Sequence, residues 1–242
     1  DISTNASYID TTNPTITSSI EESNSVITVS IDENTKGSLD LTSNEKVNWL
    51  ILDESDGNNF ELESTSLSTN IKLKNNSNFE SPTDSDVDNK YRVKVQAKDM
   101  ADNVTIKTIV FSIVDVNDSP TDIALSSKSF NENISSNSVI AILSTEDEDS
   151  NENHSYSLVS GIGSTDNHLF EIESNKLKIK STPDYETKSS YEIRLKTTDS
   201  GSNTYEEAIT LSVNNLNETP TDIILSTTNV NENQAISSSY IS

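Results

Sequence analysis

Residues 91–103 read YRVKVQAKDMADN, and residues 191–203 read YEIRLKTTDSGSN. In the first stretch Tyr91, Val93, Val95 and Ala97 alternate with Arg92, Lys94 and Gln96. Side chains that change character at every step lie on opposite faces of an extended chain. Period two over these residues predicts a half-buried β-strand. The second stretch repeats the apolar face with Tyr191, Ile193 and Leu195, and KLKIK at 176–180 sets Leu177 and Ile179 between lysines. Further strands are predicted at VITVSI (26–31), WLIL (49–52), IVFSIV (109–114), VIAIL (139–143), HSYSLV (154–159) and AITLSV (208–213). No long stretch has helical periodicity.

The two opening quotations stand 100 residues apart, and the register extends well beyond them. Asp99 meets Asp199, Pro120 meets Pro220, and NEN at 131–133 meets NEN at 231–233, with DEN at 32–34 one period earlier. TIVFSIVDVNDSPTDIALS from 108 has its counterpart in TLSVNNLNETPTDIILS from 210. The repeating unit is about 100 residues, the size of one ordinary domain. Six or seven short strands per unit predict an all-β chain of tandem β-sandwich domains with Greek-key connections. The proline-bearing linkers divide it into 1–13, the end of a preceding module or a linker; 14–118; 119–218; and 219–242, the start of a third module.

Composition narrows the function. The chain carries 40 Asp and Glu against 16 Lys and Arg, a formal charge of −24 over 242 residues. Such a charge repels nucleic acid and anionic membranes and attracts divalent cations. The apolar share, 31%, is below the roughly 45–50% of globular chains, but these residues are gathered into the alternating runs. There is no cysteine, so a stabilising device other than a disulfide is expected. No run of 18 apolar residues predicts a spanning helix. The single methionine is Met100, and the chain reads as an internal piece of something longer. Its wealth of Asn, Ser and Thr is usual for extracellular stalks.

Acidic residues collect where the predicted strands end. Glu33, Glu132 and Glu232 each precede an Asn at the start of a module. Glu80 stands in NFES, and Asp184 and Glu186 stand in DYET. The linker DVND (115–118) holds Asp115, Asn117 and Asp118, and its counterpart holds Asn215, Asn217 and Glu218. Asp147 and Asp149 lie two apart in DEDSN, and each module has an Asp at 99 or 199. Like charges about 4 Å apart repel by roughly 1 kcal/mol in water and about 4 kcal/mol at an effective dielectric of 20. A hard cation reverses that sign, and calcium takes about 6–8 oxygen ligands of the kind Asp, Asn and Glu supply. Transition metals prefer His or Cys, of which there are two and none. Neither DEDSN nor DSDVDN (84–89) is an EF-hand. Glu152 and Asn89 occupy the glycine position, and Leu158 and Val95 the closing-glutamate position. The plainer reading of DSDVDN is a solvated charge run. Recurrence in register with the module sets the linker acids apart.

These motifs, in this order and spacing, resemble the cadherin repeat. The second module is similar over essentially all of 119–218, and looks like the cadherin-like repeats of large bacterial surface proteins. The first is similar mainly from FELES at 60 to DVND. The resemblance implies tandem immunoglobulin-like sandwiches with calcium at each junction. At the first junction the implied ligands are Glu33 and Glu80 upstream, Asp115, Asn117 and Asp118 in the linker, and Asp147, Asp149 and Asp199 downstream. The second junction would use Glu132, Asp184, Glu186, Asn217 and Glu218. It departs from the pattern, because Asn215 and Glu218 stand where Asp is expected, so weaker or no binding is expected there. At the N-terminal end, with Asp10 and Asp99, less calcium or none is expected.

The function implied is that of rigidified spacer modules in an extracellular or cell-surface adhesin, with calcium and neighbouring repeats as partners. The alternative is an adhesive module that binds an identical chain or a glycan. Trp49, the only Trp, sits in WLIL and is expected to pack in the core rather than offer a sugar platform. No nucleophile elbow, phosphate loop or metal-binding His pair points to an enzyme. His154 and His168 read as surface-loop residues, and Asp184 and Glu186 lie too close on one segment for a glycosidase pair.

Overall fold

In the computed structural model, which describes residues 10–52, 55–150 and 152–220, each predicted alternating run forms a strand. Burial follows the pleat: Tyr91, Val93, Val95 and Ala97 are all buried, and so are Tyr191, Ile193, Leu195, Leu177 and Ile179. The chain divides into two units. The first comprises 1–119 together with residues 147–152, and the second comprises 120–146 and 153–242.

The first unit contains β1 (Ile16–Ser18), β2 (Glu22–Ser23), β3 (Val26–Asp32), β4 (Ser38–Ser43), β5 (Asn48–Leu52), β6 (Phe60–Ser64), β7 (Ser68–Leu73), β8 (Lys90–Lys98) and β9 (Val104–Val114). One sheet runs β1-β4-β7-β6 and the other β2-β3-β9-β8-β5. Pairing is antiparallel except between β3 and β9, which run parallel. Leu39, Leu41, Ile71 and Leu73 of one sheet share a single buried cluster with Val29, Val93, Ile109 and Phe111 of the other, so the sheets close as a sandwich. Phe60 and Phe111 meet at 5.1 Å in its middle. Trp49 lies half-buried against this core, where the sequence placed it.

The second unit repeats the plan with β10 (Asp122–Leu125), β11 (Ser129–Asn131), β12 (Val139–Glu146), β13 (Ser155–Leu158), β14 (Phe170–Glu173), β15 (Lys176–Ile179), β16 (Ser190–Thr198) and β17 (Thr204–Asn214). Its sheets are β10-β12-β15-β14 and β11-β17-β16-β13, with β11 parallel to β17. Tyr191 anchors its core, stacked on Phe130 and edge-on to Phe170.

Nine described strands in one unit and eight in the other exceed the six or seven expected. The N-terminal segment of each unit explains the surplus. It pairs first with one sheet (β1, β10) and then with the other (β3, β11), so one stretch of chain yields separate short strands. A single turn of 3-10 helix precedes β6 and β14, at Gly57–Asn59 and Asn167–Leu169. His168 lies exposed in the latter, and His154 is half-buried in the loop before β13. The expected third module falls almost wholly outside the described residues, as do Glu232 and residues 1–9 of the expected preceding segment. Among the described residues no helix is long and apolar enough to cross a membrane.

Candidate metal centre

Each unit has a buried glutamate that braces the chain around it. Glu33 follows β3 and is only 2% exposed. Its two carboxylate oxygens accept from Val116 N at 2.8 Å and Phe79 N at 2.7 Å. One side chain thus ties the strand end to the linker and to the segment that carries Glu80. Asn34, in the left-handed region at φ 61°, extends the clamp by donating from Nδ2 to Asp118 Oδ1 at 3.0 Å. Glu132 does the same work in the second unit, accepting from Leu216 N at 2.6 Å and Tyr185 N at 2.8 Å. Asn133, also at φ 61°, donates to Glu218 Oε1 at 2.7 Å. The D/N-E-N motif is therefore first a structural brace. Two charge-assisted hydrogen bonds from backbone N–H groups satisfy each carboxylate in its buried place.

In the first unit that brace sits in a dense acidic group. Oxygens of Glu33, Glu80 and Asp115 lie within 4.8 Å of one another, and so do oxygens of Glu80, Asp118 and Glu148. Glu80 belongs to both sets. Asp149 joins them through Oδ2, which accepts from Asp118 N at 2.6 Å. Glu148 is held by Asn78, whose Nδ2 donates to Oε2 at 2.7 Å. A cavity of about 420 Å³ opens here, lined by Glu80, Asp115, Asn117, Glu148 and Asp149 among others. Glu80 Oε2 is buried with no hydrogen-bond partner. Burial, and then the charges of Glu33 and Asp115, push the Glu80 carboxyl up to about 7. Asp115 is raised by burial and by Asp149 and Glu33. Asp118 is raised by burial and by Glu33, Glu148 and Asp149, against the hydrogen bond from Asn34.

This donor set fits a hard divalent cation: it is all oxygen, strongly anionic, and includes a buried carboxylate oxygen that no protein hydrogen reaches. Glu33 has lone pairs left over after its two hydrogen bonds. Asp147 is turned to a local task, accepting from Asp149 N at 3.3 Å. Asp199 belongs to the second unit, where its Oδ1 accepts from Asn203 N at 2.7 Å and shapes the β16–β17 turn. Asp99 makes the same turn in the first unit with Asn103.

The second unit differs in its charges. Asn215 replaces the linker acid and donates from Nδ2 to Glu186 Oε1 at 2.9 Å, where the first unit sets Asp115 against Glu80. Asp184 caps its own turn through Thr187, which holds its carboxyl below the usual range. Asn217 and Glu218 are exposed. An amide thus supplies from within the protein the partner that the first cluster lacks.

Two features escaped the sequence reading. Glu148 sits between the two acids that were singled out, and only the fold turns it towards Glu80. Asn34 and Asn133 were read as markers of the motif, whereas they hold the linker acids directly.

The sandwich topology and these braces can be set beside known proteins. A family model described as Cadherin domain matches residues 126–214. That match falls within the second unit and spans most of its strands. Among solved structures, protocadherin gammaB7 EC3-6, described as a cis-dimer, is 25% identical with a TM-score of 0.54. The match covers 81% of this chain and 47% of that one. Extracellular cadherin domains 3-6 of protocadherin gamma B2 are 22% identical, TM-score 0.56, over 84% of this chain and 48% of that one. Mouse cadherin-23 EC22-24 is 20% identical, TM-score 0.53, over 84% and 67%. The chain thus spans about half the length of these two protocadherin structures. No curated protein gives a match. Both units have the all-β sandwich fold expected from the alternating runs, in the cadherin-like form that the motif resemblance implied. None of these matches bears on a bacterial source or on an adhesin.

Proposed function

We propose that this chain is a pair of calcium-binding, extracellular cadherin-like repeats that serve as stiffened spacers in a longer adhesion protein. The observation that carries the reading is the cluster of Glu33, Glu80, Asp115, Asp118, Glu148 and Asp149, with Glu80 Oε2 buried and unpartnered at its centre. Calcium held there would replace mutual repulsion with shared coordination. It would also fasten the linker 115–118 and the loop 147–152 to the body of the first unit. Both segments lead directly into strands of the second unit, so fastening them limits bending. Asp147 and Asp199 stay in the proposed ligand set, as do the weaker second group of Glu132, Asp184, Glu186, Asn217 and Glu218. An ion that binds only the folded state stabilises it by about 2.7 kcal/mol at 100 times its dissociation constant.

Calorimetry and small-angle scattering of the full chain across a calcium titration test this. Calcium is expected to raise the melting temperature and narrow the range of sizes, and Asp118→Ala to reduce both responses. EDTA-treated and calcium-loaded protein with the same midpoint and the same scattering profile would end the proposal. The alternative, self-association, draws on Leu50 and Ile106, which stand outward in one cross-strand row with Gln96 at 53% and 48% exposure. It would appear in the same scattering data as a mass that grows with concentration.

A further inference from the structure

The connection between Glu80 and β8 is longer than its counterpart in the second unit: eleven positions separate Glu80 from Tyr91, and five separate Glu186 from Tyr191. The extra length carries Asp84, Asp86 and Asp88, whose carboxylates each place an oxygen within 4.8 Å of the other two. Left-handed backbone at Val87 (φ 57°) and Asn89 (φ 62°) folds the loop, and Asp88 N donates to Asp84 Oδ2 at 2.8 Å. Asp86 and Asp88 are exposed and share Arg92, which reaches Asp86 Oδ1 at 3.1 Å and Asp88 Oδ2 at 2.6 Å.

Asp84 is different. It is 4% exposed, and its Oδ1 is buried with no hydrogen-bond partner. The other buried acid nearby, Asp56, has both oxygens engaged, by Ser85 N at 2.6 Å and Arg92 N at 2.7 Å. Among the described residues Arg92 is bound by the outer two aspartates, and the inner carboxylate retains an oxygen without a hydrogen-bond partner. A buried carboxylate oxygen without a partner, on a side chain grouped with two further carboxylates, is the situation a hard cation relieves.

We infer that residues 84–88 form a second divalent-cation site of the calcium class, with Asp84 Oδ1 as the inner ligand and the Asp86 and Asp88 carboxylates completing it from outside. The sequence objection to this loop was that Asn89 occupies the place of a glycine. That place demands a left-handed turn, and Asn89 adopts it, as Asn tolerates better than most residues. Val95, at the closing position, is buried in β8, so the site differs from an EF-hand in taking its remaining ligands from water. It lies apart from the linker cluster in composition: the two groups share no residue.

Calcium binding to the full chain, followed by isothermal calorimetry, tests the inference. The background carries Glu80→Gln, Asp115→Asn and Asp118→Asn to disable the linker cluster. One saturable calcium equivalent, beyond any weaker binding at the Glu132 group, is expected to persist there and to vanish on adding Asp86→Asn, an exposed position whose change should leave the circular dichroism intact. Asp84→Asn should abolish it as well. Unchanged stoichiometry in the Asp86→Asn and Asp84→Asn variants, or a background that binds no calcium, overturns the second site. The second of those results would leave the linker proposal standing. The linker proposal instead fails if the triple variant keeps every equivalent of the parent chain.

Discussion

Glu80 is a carboxyl surrounded by carboxyls, and its titration reports what that costs. In the unfolded chain it would release its proton near 4.5, and in the folded chain it does so at about 7. Below 4.5 both states hold the proton. Between 4.5 and about 7 only the folded state does, so this group's contribution to stability is lost as pH rises through that window. Asp115 and Asp118, also raised, act in the same direction. In EDTA, urea unfolding should give a higher free energy at pH 5 than at pH 7.5, and Glu80→Gln should flatten the difference. Saturating calcium should reverse the order, because ligands bind in their ionised form. A calcium-free protein equally stable at both values would contradict the charge assignment. Most of this cluster was legible, since Glu33, Glu80, Asp115, Asp118 and Asp149 recur at strand ends. Glu148 was not, because in a run of four acids (146–149) the spacing alone does not say which side chain the loop turns inward.

Strands with a long alternating run were legible for a direct reason: each second residue must be buried, and β8 and β16 obey this from end to end. β1, β2 and β11, at two or three residues, are too short to show a period. The parallel pairs β3–β9 and β11–β17 join segments about 80 residues apart and leave no local trace. β12 breaks its own alternation, with Ile140 and Ala141 both buried, because a bulge there sets an extra residue against β15. Where such elements end, the braces take over. Glu132 ties the exit of β11 to the exit of β17 and to the turn at Tyr185. Glu132→Ala removes two hydrogen bonds to a charged, buried acceptor and strands their donors, which should lower the unfolding free energy by about 3 kcal/mol. Chemical denaturation of the full chain, read through the transition of the second unit, checks this. A loss within error of zero would mean that water replaces the carboxylate without penalty.

Across the whole molecule the surplus of acid matters more than any single pair. A formal charge of −24 with no disulfide leaves two small cores to resist a general self-repulsion. Simple salt should relieve part of it, since the screening length falls from about 10 Å at 0.1 M to about 3 Å at 1 M. Scanning fluorimetry in EDTA should show the melting temperature climbing steadily with sodium chloride, whereas the response to calcium should saturate at far lower concentration. A midpoint indifferent to sodium chloride would show that the charges are already too far apart to matter.

The braces at Glu33 and Glu132 are closed circuits: every group each one holds belongs to its own unit. They stand 99 positions apart, from 33 to 132. A gene that gained or lost one such interval by unequal recombination would swap one brace for its equivalent and orphan neither carboxylate. Lengthening the chain in whole repeats is then nearly neutral for the units that remain, and the reach of the protein becomes a quantity that selection can adjust one copy at a time.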